Sequence, residues 1–324
     1  MPKAIVMRKT GGPDVMEYVE VEVGQPGPGE ARVRHATCGL NYIDVYFRNG
    51  TYPQSLPAGL GMEGAGVVEA VGVGVSIFKP GDRVAYAGRP PGAYAEVRIL
   101  PAAILVKLPA SIDFETAAAT MLQGLTVQYL FRRLFPLRGG ETILFHAAAG
   151  GVGLIACQWA RALGVTMIGT VGSDEKAALA KACGCVHTIN YNSENFVERV
   201  KEITDGKGVP VVYDSIGKDT FRGSLDCLSP LGMMVSFGST SGQVPPFDLN
   251  DLASRNSLFI TRPVLFSYTA KRGDLDLMAA ELFGMIESKK IKIEINQRYA
   301  LHDVAQAHRD LESRKTTGSS ILIP

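Results

Sequence analysis

The pattern that most constrains this chain begins at about Thr142. Short apolar runs (TILFHA, VTMIGTV, VHTIN, VPVVYDS, GMMVSFG) alternate there with the helical stretches GLIACQWARALG, EKAALAKACG, ENFVERVKEIT and FRGSLDCL. Runs of that length and β-branched content read as buried strands. A repeated strand–helix–strand text implies a parallel sheet covered by helices on both faces. Because such crossovers are right-handed, a doubly wound α/β fold is the natural outcome.

The text on either side is different. AIVMRK, EYVEVEV, ARVRHATC and GAYAEVRIL read as strands, separated by the turns GGPD, GQPGPG and KPGD, and no long helical pattern precedes about Phe114. After SLFITRP a helix is expected from about Ala270 to Ser288, then the strand text IKIEINQRYA, a helix near Asp303 to Ser313 and a final strand in GSSILIP. A β-rich beginning, an inserted α/β unit and a returning end suggest one domain interrupted by another. No internal repeat or low-complexity segment stands out.

A length of 324 residues allows two such domains, and 46% hydrophobic with 20% charged residues is the balance of a soluble globular protein. The net charge is +1 with no basic stripe, which argues against nucleic acid as the main partner. No apolar run is long enough for a membrane span, and MPKAIVMRKTGGPD has no signal-peptide core. The five cysteines are odd in number and form no C-x-x-C. Together these features read as a reducing, cytoplasmic protein.

Two glycine-rich stretches compete for the role of a dinucleotide loop. PAGLGMEGAGVVEAVG carries a literal G-x-G-x-x-G at Gly59, Gly61 and Gly64. A phosphate-cradling loop must leave a strand and open a helix, so that backbone N–H groups and the helix dipole face the pyrophosphate. Here Pro57 precedes the glycines and a strand-like AGVVEAVG follows, so the context is wrong. TILFHAAAGGVGLIACQWARALG has the right context: Ala147, Gly150 and Gly153 keep the spacing, and Gly151 adds a further Cβ-free position. The helix after them shows Val152, Ile155, Ala156, Trp159 and Leu163 on one face. This second stretch is the expected cofactor loop, with Gly150, Gly151 and Val152 at the phosphates.

The end of the next strand separates the two dinucleotides. NAD enzymes usually place an acid there for the ribose 2′-OH. This chain has Val171-Gly172-Ser173, small or neutral groups that leave room for a 2′-phosphate, with Lys176 a short step into the next helix. Asp174 reads as the N-cap of that helix and Glu175 as a first-turn residue. Lys176 either meets the phosphate or is a solvated helix residue; the first choice selects NADP(H) over NAD. The missing acid also counts against an S-adenosylmethionine methyltransferase.

With the loop placed, the whole chain resembles the medium-chain dehydrogenase/reductase superfamily, and within it the zeta-crystallin-type NADPH:quinone oxidoreductases. CGLNYIDVYFRNGTYP, GMEGAGVVEAVG, KPGDRVAY, AAATMLQGLTVQYL, FHAAAGGVGLIACQWA, TINY, VVYDSIG, SFGSTSG, TRP and LESRKTTGSSILIP carry the resemblance in order along the chain. It implies a GroES-like catalytic domain (residues 1–125 and 264–324) around a Rossmann domain (residues 126–263). It also implies a cleft between them for nicotinamide and substrate, and usually a homodimer.

The resemblance carries a negative as well. Zinc enzymes of the superfamily hold their metal through a Cys after C-G-x, a His in G-H-E and a later Cys; this chain has Asn41, Met62 and Leu122 at those places. Neither Asn nor Leu replaces a thiolate, and AYAGRPPGAYAE lacks the cysteines of a structural zinc lobe. No metal site is expected. With no Lewis acid and no identifiable proton donor, the expected substrate accepts hydride readily. A quinone is the first expectation and an alkenal or enone double bond the alternative; a nucleotide- or RNA-binding structural role is the third. Transfer in single-electron steps is also known in the family.

Carried over by motif, Asn41, Tyr46 and Tyr52 line the substrate cleft, and either tyrosine orients a quinone oxygen or is simply a packed aromatic. Asn41, Tyr46, Gln123, Thr126 and Tyr129 are implied at the nicotinamide and phosphates. Lys176 and Tyr191, with Gly172 and Ser173, are implied at the adenosine phosphate. Ser215, Gly238 and Ser241 follow strand ends on the cofactor side, and Val264 and Leu265 approach the nicotinamide. Arg314 is either a last cofactor contact or an exposed helix-end residue.

Overall fold

The structure is a computed structural model describing residues 1–324. The chain forms two compact units: Met1–Leu125 with Thr269–Lys289 and Ile293–Pro324, and Thr126–Tyr268 with Lys290–Lys292. The return to the first unit thus falls at Thr269 rather than 264. Val264 and Leu265 lead into a short helix whose Tyr268 stacks on Tyr129 within the second unit, at 4.5 Å between ring centroids.

The first unit opens with β1 (Lys3–Met7) and β2 (Met16–Glu20), which pair antiparallel. The long β3 (Glu30–Leu40) buries Ala31, Val33, His35 and Thr37 in alternation and then every residue to Leu40, where α2 packs over it. A short α1 (Tyr42–Arg48) follows, then β4 (Ala58–Gly59), β5 (Glu63–Val71), β6 (Arg83–Ala87), β7 (Val97–Pro101) and β8 (Val106–Lys107). The helices α2 (Phe114–Ala118) and α3 (Met121–Tyr129) close this stretch. The sequence pattern gives no hint of α1, which at seven residues is too short for a helical period.

The second unit runs β9 (Thr142–Phe145), α4 (Gly151–Leu163), β10 (Thr166–Val171), α5 (Asp174–Ala182), β11 (His187–Asn190), α6 (Phe196–Ile203), β12 (Val209–Asp214), α7 (Phe221–Asp226), β13 (Leu228–Ser236), α8 (Asn250–Ala253), β14 (Phe259–Thr261) and α9 (Leu265–Tyr268). Its six strands lie in the order β11-β10-β9-β12-β13-β14, with every pairing parallel. The order reverses between β9 and β12, so the carboxyl ends of these two strands flank the usual ligand crevice of such a sheet. Leu144, Ile168, Val212 and Met234 from neighbouring strands are fully buried in its core. A Gly at position 169 is required, because a Cβ there would lie 2.5 Å from the Ala148 side chain.

The chain then adds α10 (Arg272–Glu287), β15 (Ile295–Ala300), α11 (Val304–Glu312) and β16 (Ser319–Ile323) to the first unit. β16 pairs antiparallel with β3, completing the sheet β15-β16-β3-β5-β6-β8, with β7 also on β3. Chain ends far apart in sequence are thereby brought onto one strand. No helix is long and apolar enough to cross a membrane.

Candidate active site

The literal G-x-G-x-x-G of the first unit opens no helix: it runs from β4 into β5. Gly61 sits at φ +92°, and a Cβ there would lie 2.3 Å from the Tyr94 ring. A Cβ on Gly59 would lie 2.9 Å from the Gly92 Cα, and one on Gly64 3.1 Å from the His35 ring. These glycines admit neighbouring backbone and rings. Met62, between them, is fully buried.

The last glycine leads to a polar cluster. Glu63 is fully buried; its Oε1 accepts the Leu122 N–H at 2.7 Å and its Oε2 accepts Asn41 Nδ2 at 2.6 Å. Gly39 faces Glu63 across β3–β5, and a Cβ at Gly39 would come within 2.3 Å of Glu63 Oε2. Asn41 Oδ1 accepts Gln123 Nε2 at 3.2 Å, and Gln123 Oε1 accepts Ser319 Oγ at 2.8 Å. Asn41 also caps α1, its backbone N–H donating to Asp44 Oδ2 at 2.9 Å. Tyr94 Oη donates to the same oxygen at 2.7 Å, while Asp44 Oδ1 has no partner. Burial pushes the Asp44 carboxyl up to about 7 and the Glu63 carboxyl up to about 8, against the hydrogen bonds that favour their ionised forms.

α1 is held from its other side. Arg48, fully buried, makes two 2.8 Å bonds to Glu312 on α11 and donates to His308 Nδ1 at 3.0 Å. Tyr46, on this helix, is buried with its ring 5.2 Å from that of Tyr52, whose N–H donates to the Tyr46 carbonyl at 2.9 Å. The structure therefore brings Asn41, Tyr46 and Tyr52 together on and beside α1, and joins Gln123 to Asn41. Arg314, just past α11, is exposed at φ +60°. Its charge acts on Tyr42, the first residue of α1.

In the second unit the loop after β9 has the form a pyrophosphate needs. Ala147 takes φ +57°, Gly150 is the N-cap of α4, and no side chain caps that helix. The first N–H groups of α4 are left to an anion by the backbone itself. Gly153 lies against the turn so closely that a Cβ would meet the Ala147 carbonyl at 2.3 Å. Gly150, Gly151 and Val152 thus open the helix as the sequence requires.

At the end of β10, Ser173 caps α5 by accepting the Lys176 N–H at 3.3 Å. The N-cap is therefore Ser173 and not Asp174, which instead accepts Asn190 Nδ2 at 2.9 Å. Both residue types cap helices, and the extended backbone of Ser173 decides between them. Tyr191 lies over this strand end: a Cβ on Gly172 would come 2.5 Å from its hydroxyl. Gly172, Ser173, Lys176 and Tyr191 thus share one corner.

The loops after β12 and β13 are laced together. Thr240 donates its N–H to the Ser215 carbonyl at 3.1 Å, Ser241 Oγ bonds the Ile216 carbonyl at 2.9 Å, and a Cβ on Gly238 would meet the Ser215 carbonyl at 2.5 Å. Thr126 and Leu265 are buried, Val264 is half exposed, and Tyr129 is buried against Tyr268.

These features meet their counterparts in known proteins. Residues 27–110 match the model of the alcohol dehydrogenase GroES-like domain, and residues 151–280 that of the zinc-binding dehydrogenases. A quinone oxidoreductase of Pseudomonas aeruginosa is 58% identical, with 100% of both chains covered. The chain belongs to the quinone oxidoreductase family of the medium-chain dehydrogenase/reductases. The crystal structure of the Escherichia coli quinone oxidoreductase complexed with NADPH superposes with a TM-score of 0.98 at 50% identity, covering 99% of this chain and 100% of that one. A 2-haloacrylate reductase of a Burkholderia species is 45% identical over 100% of this chain and 99% of its own.

In this chain the donor set does not fit the zinc of the matched dehydrogenase model. Met62 offers a buried thioether, Leu122 offers no donor, and the Asn41 amide is engaged by Glu63 and Gln123. No group of three or more His, Cys, Asp or Glu side chains is placed to hold a metal. His146, at the end of β9, instead bonds Thr170 Oγ1 and Ser224 Oγ, each at 2.9 Å, and Ser224 donates to Asp214. Sequence reasoning missed Asp44, Ser319 and Tyr94. The N-x-x-D spacing of Asn41 and Asp44 was a usable capping signal; Tyr94 reaches Asp44 across 50 residues, and Ser319 depends on the return of the chain.

Proposed function

We infer that this chain is an NADPH-dependent quinone reductase that works without a metal. The observation that carries the reading is the uncapped start of α4, with a neutral Gly172–Ser173 strand end and Lys176 beside it. The relative solved with NADPH supports the choice of dinucleotide, and the relatives named quinone oxidoreductase support the acceptor. Bound NADPH supplies two reducing equivalents, as hydride or as single electrons, and with one further proton a quinone leaves as the hydroquinone. The chain's own part is to hold and orient. Gly150, Gly151 and Val152 offer backbone N–H groups to the pyrophosphate, and Lys176 and Tyr191 hold the 2′-phosphate. Thr126, Tyr129, Ser215, Gly238, Ser241, Val264 and Leu265 frame the rest of the dinucleotide, with Arg314 a further contact. Asn41, Tyr46 and Tyr52 receive the acceptor, with Gln123 behind Asn41.

The 45% identity to a 2-haloacrylate reductase favours a second reading, reduction of an activated double bond. Both readings place the protein in the cytoplasm as a homodimer. The outer edge of β14 is unpaired and Phe259 on it is 56% exposed, which supports a second copy there. NADPH oxidation should be fast with 1,4-naphthoquinone, slow with a 2-alkenal and slower still when NADH replaces NADPH. Turnover of the alkenal alone would favour the second reading.

A further inference from the structure

Glu63, Asn41, Gln123 and Ser319 form one chain of hydrogen bonds, and that chain has a direction. As placed, Asn41 Nδ2 donates to Glu63, Gln123 Nε2 donates to Asn41, and Ser319 Oγ donates to Gln123 Oε1. Ser319 Oγ also lies 2.9 Å from the Ala119 carbonyl, so its single hydrogen is wanted by two acceptors. In this direction one buried acceptor goes unserved. Turning both amides over exchanges oxygen for nitrogen with no change of shape. Gln123 Nε2 then donates to Ser319, Ser319 donates to Ala119, and Asn41 Nδ2 donates to Gln123. Every acceptor along the chain is then served on one condition: Glu63 must carry a proton and donate it to Asn41 Oδ1. The Asp44 N–H, which the Asn41 side chain caps in the first direction, keeps its 3.0 Å bond to the Asn41 carbonyl.

The surroundings of Glu63 permit both states. The Leu122 N–H fixes one carboxyl oxygen as an acceptor, and Gly39 opposite leaves room for the other. Asp44 on α1, Cys38 on β3, Tyr86 on β6 and Tyr94 face it electrostatically, and no cation stands against it. Arg48 is engaged by Glu312 and His308, and Arg98 by the Pro90 carbonyl and Tyr86 Oη. Burial pushes the Glu63 carboxyl up to about 8.

We propose that Glu63 is a positioning residue: its proton sets the direction of the Asn41 and Gln123 amides, and so whether those amides offer N–H or C=O to a carbonyl-bearing acceptor. The consequence for the acceptor rests on the quinone reading; the coupling of proton to amide direction does not.

The unliganded wild-type chain tests the coupling directly. The side-chain amide NMR signals of Asn41 and Gln123 should titrate together between about pH 6 and pH 10, with the Glu63 carboxyl. Signals that stand still in the wild type overturn the proposal without any variant. Glu63→Gln must keep its oxygen on the Leu122 N–H and turn its nitrogen to Asn41, which locks the reversed direction. In that variant the two amides should not titrate. With NADPH and 1,4-naphthoquinone, wild-type KM for the quinone should change about tenfold across the same range and stay within about twofold in Glu63→Gln. KM for NADPH should hold in both proteins. A wild-type pH transition retained in Glu63→Gln overturns the proposal. Amides that titrate in a chain inert toward every quinone uphold the coupling and overturn the quinone reading instead.

Discussion

The two glycine-rich stretches are built from nearly the same letters and do opposite work. In Gly59–Gly64 the missing Cβ atoms admit parts of the protein itself, the Tyr94 ring at Gly61 and the Gly92 backbone at Gly59. In the loop from Ala147 to Gly153 they let a turn close tightly behind a helix whose N-terminus no side chain caps. The first stretch enters a strand, where backbone N–H groups go to neighbouring strands. The second opens a helix, where the first N–H groups have no internal partner. A glycine spacing therefore says how closely backbones approach, and the following element decides what approaches.

Substitutions should separate the two roles. Gly61→Ala combines a left-handed φ with a clash on the Tyr94 ring, so it should cost about 3 kcal/mol or more of stability in urea unfolding. NADPH affinity of the protein that remains folded should hardly change. Gly153→Ala also clashes with backbone and costs stability, but the protein that remains folded should bind NADPH about a hundredfold more weakly by titration, or about 2.7 kcal/mol. Its Cβ pushes on the Ala147 carbonyl and reshapes the cradle. If Gly61→Ala weakened NADPH as much as Gly153→Ala, the division of labour would be wrong.

The difference was legible in the sequence because context travels with the motif. TILFHA before the glycines and an amphipathic GLIACQWARALG after them are local facts. The parallel sheet was legible for the same reason, since each strand and helix announces its own period. What surrounds Glu63 was not legible. Its carboxyl is placed by an antiparallel register with Gly39, by an amide N–H from Leu122 and by an Asn41 side chain whose partner Gln123 meets Ser319. The last of these contacts exists only after β16 has returned to pair with β3, and the others join residues 22 or more apart in the sequence. The choice between Ser173 and Asp174 as helix cap was ambiguous for a different reason: both are good caps, and one dihedral settles it.

A pH series sharpens the contrast, because only the first stretch ends in a buried acid without a cation. Burial pushes the Glu63 carboxyl up to about 8 in the folded chain, above about 4.3 in the unfolded one. The folded state then binds the extra proton, and its stabilising effect is full below about pH 4.3 and lost as pH rises through 8. Asp44, raised to about 7, acts in the same sense. Stability should fall across this window by on the order of 1 kcal/mol per pH unit from Glu63, and Glu63→Gln should show a shallower slope in urea unfolding. Equal slopes would mean that Glu63 is ionised throughout.

The smallest expected effect lies beyond the second loop, where β10 ends. Ser173 rather than an acid receives the first turn of α5, and Gly172 yields its side-chain space to Tyr191. A 2′-phosphate there would find a neutral corner with Lys176 at its edge, and a ribose hydroxyl would find no carboxylate acceptor. Lys176→Glu should therefore raise KM for NADPH about tenfold, near 1.4 kcal/mol, while KM for NADH changes little. The effect should shrink as salt is added, because Lys176 is only partly buried and its charge is screened. Equal losses for both dinucleotides would reduce Lys176 to a surface residue and leave Tyr191 as the candidate for phosphate choice. The glycine loop would then hold the dinucleotide and Tyr191, whose hydroxyl lies over Gly172, would be left to tell one from the other.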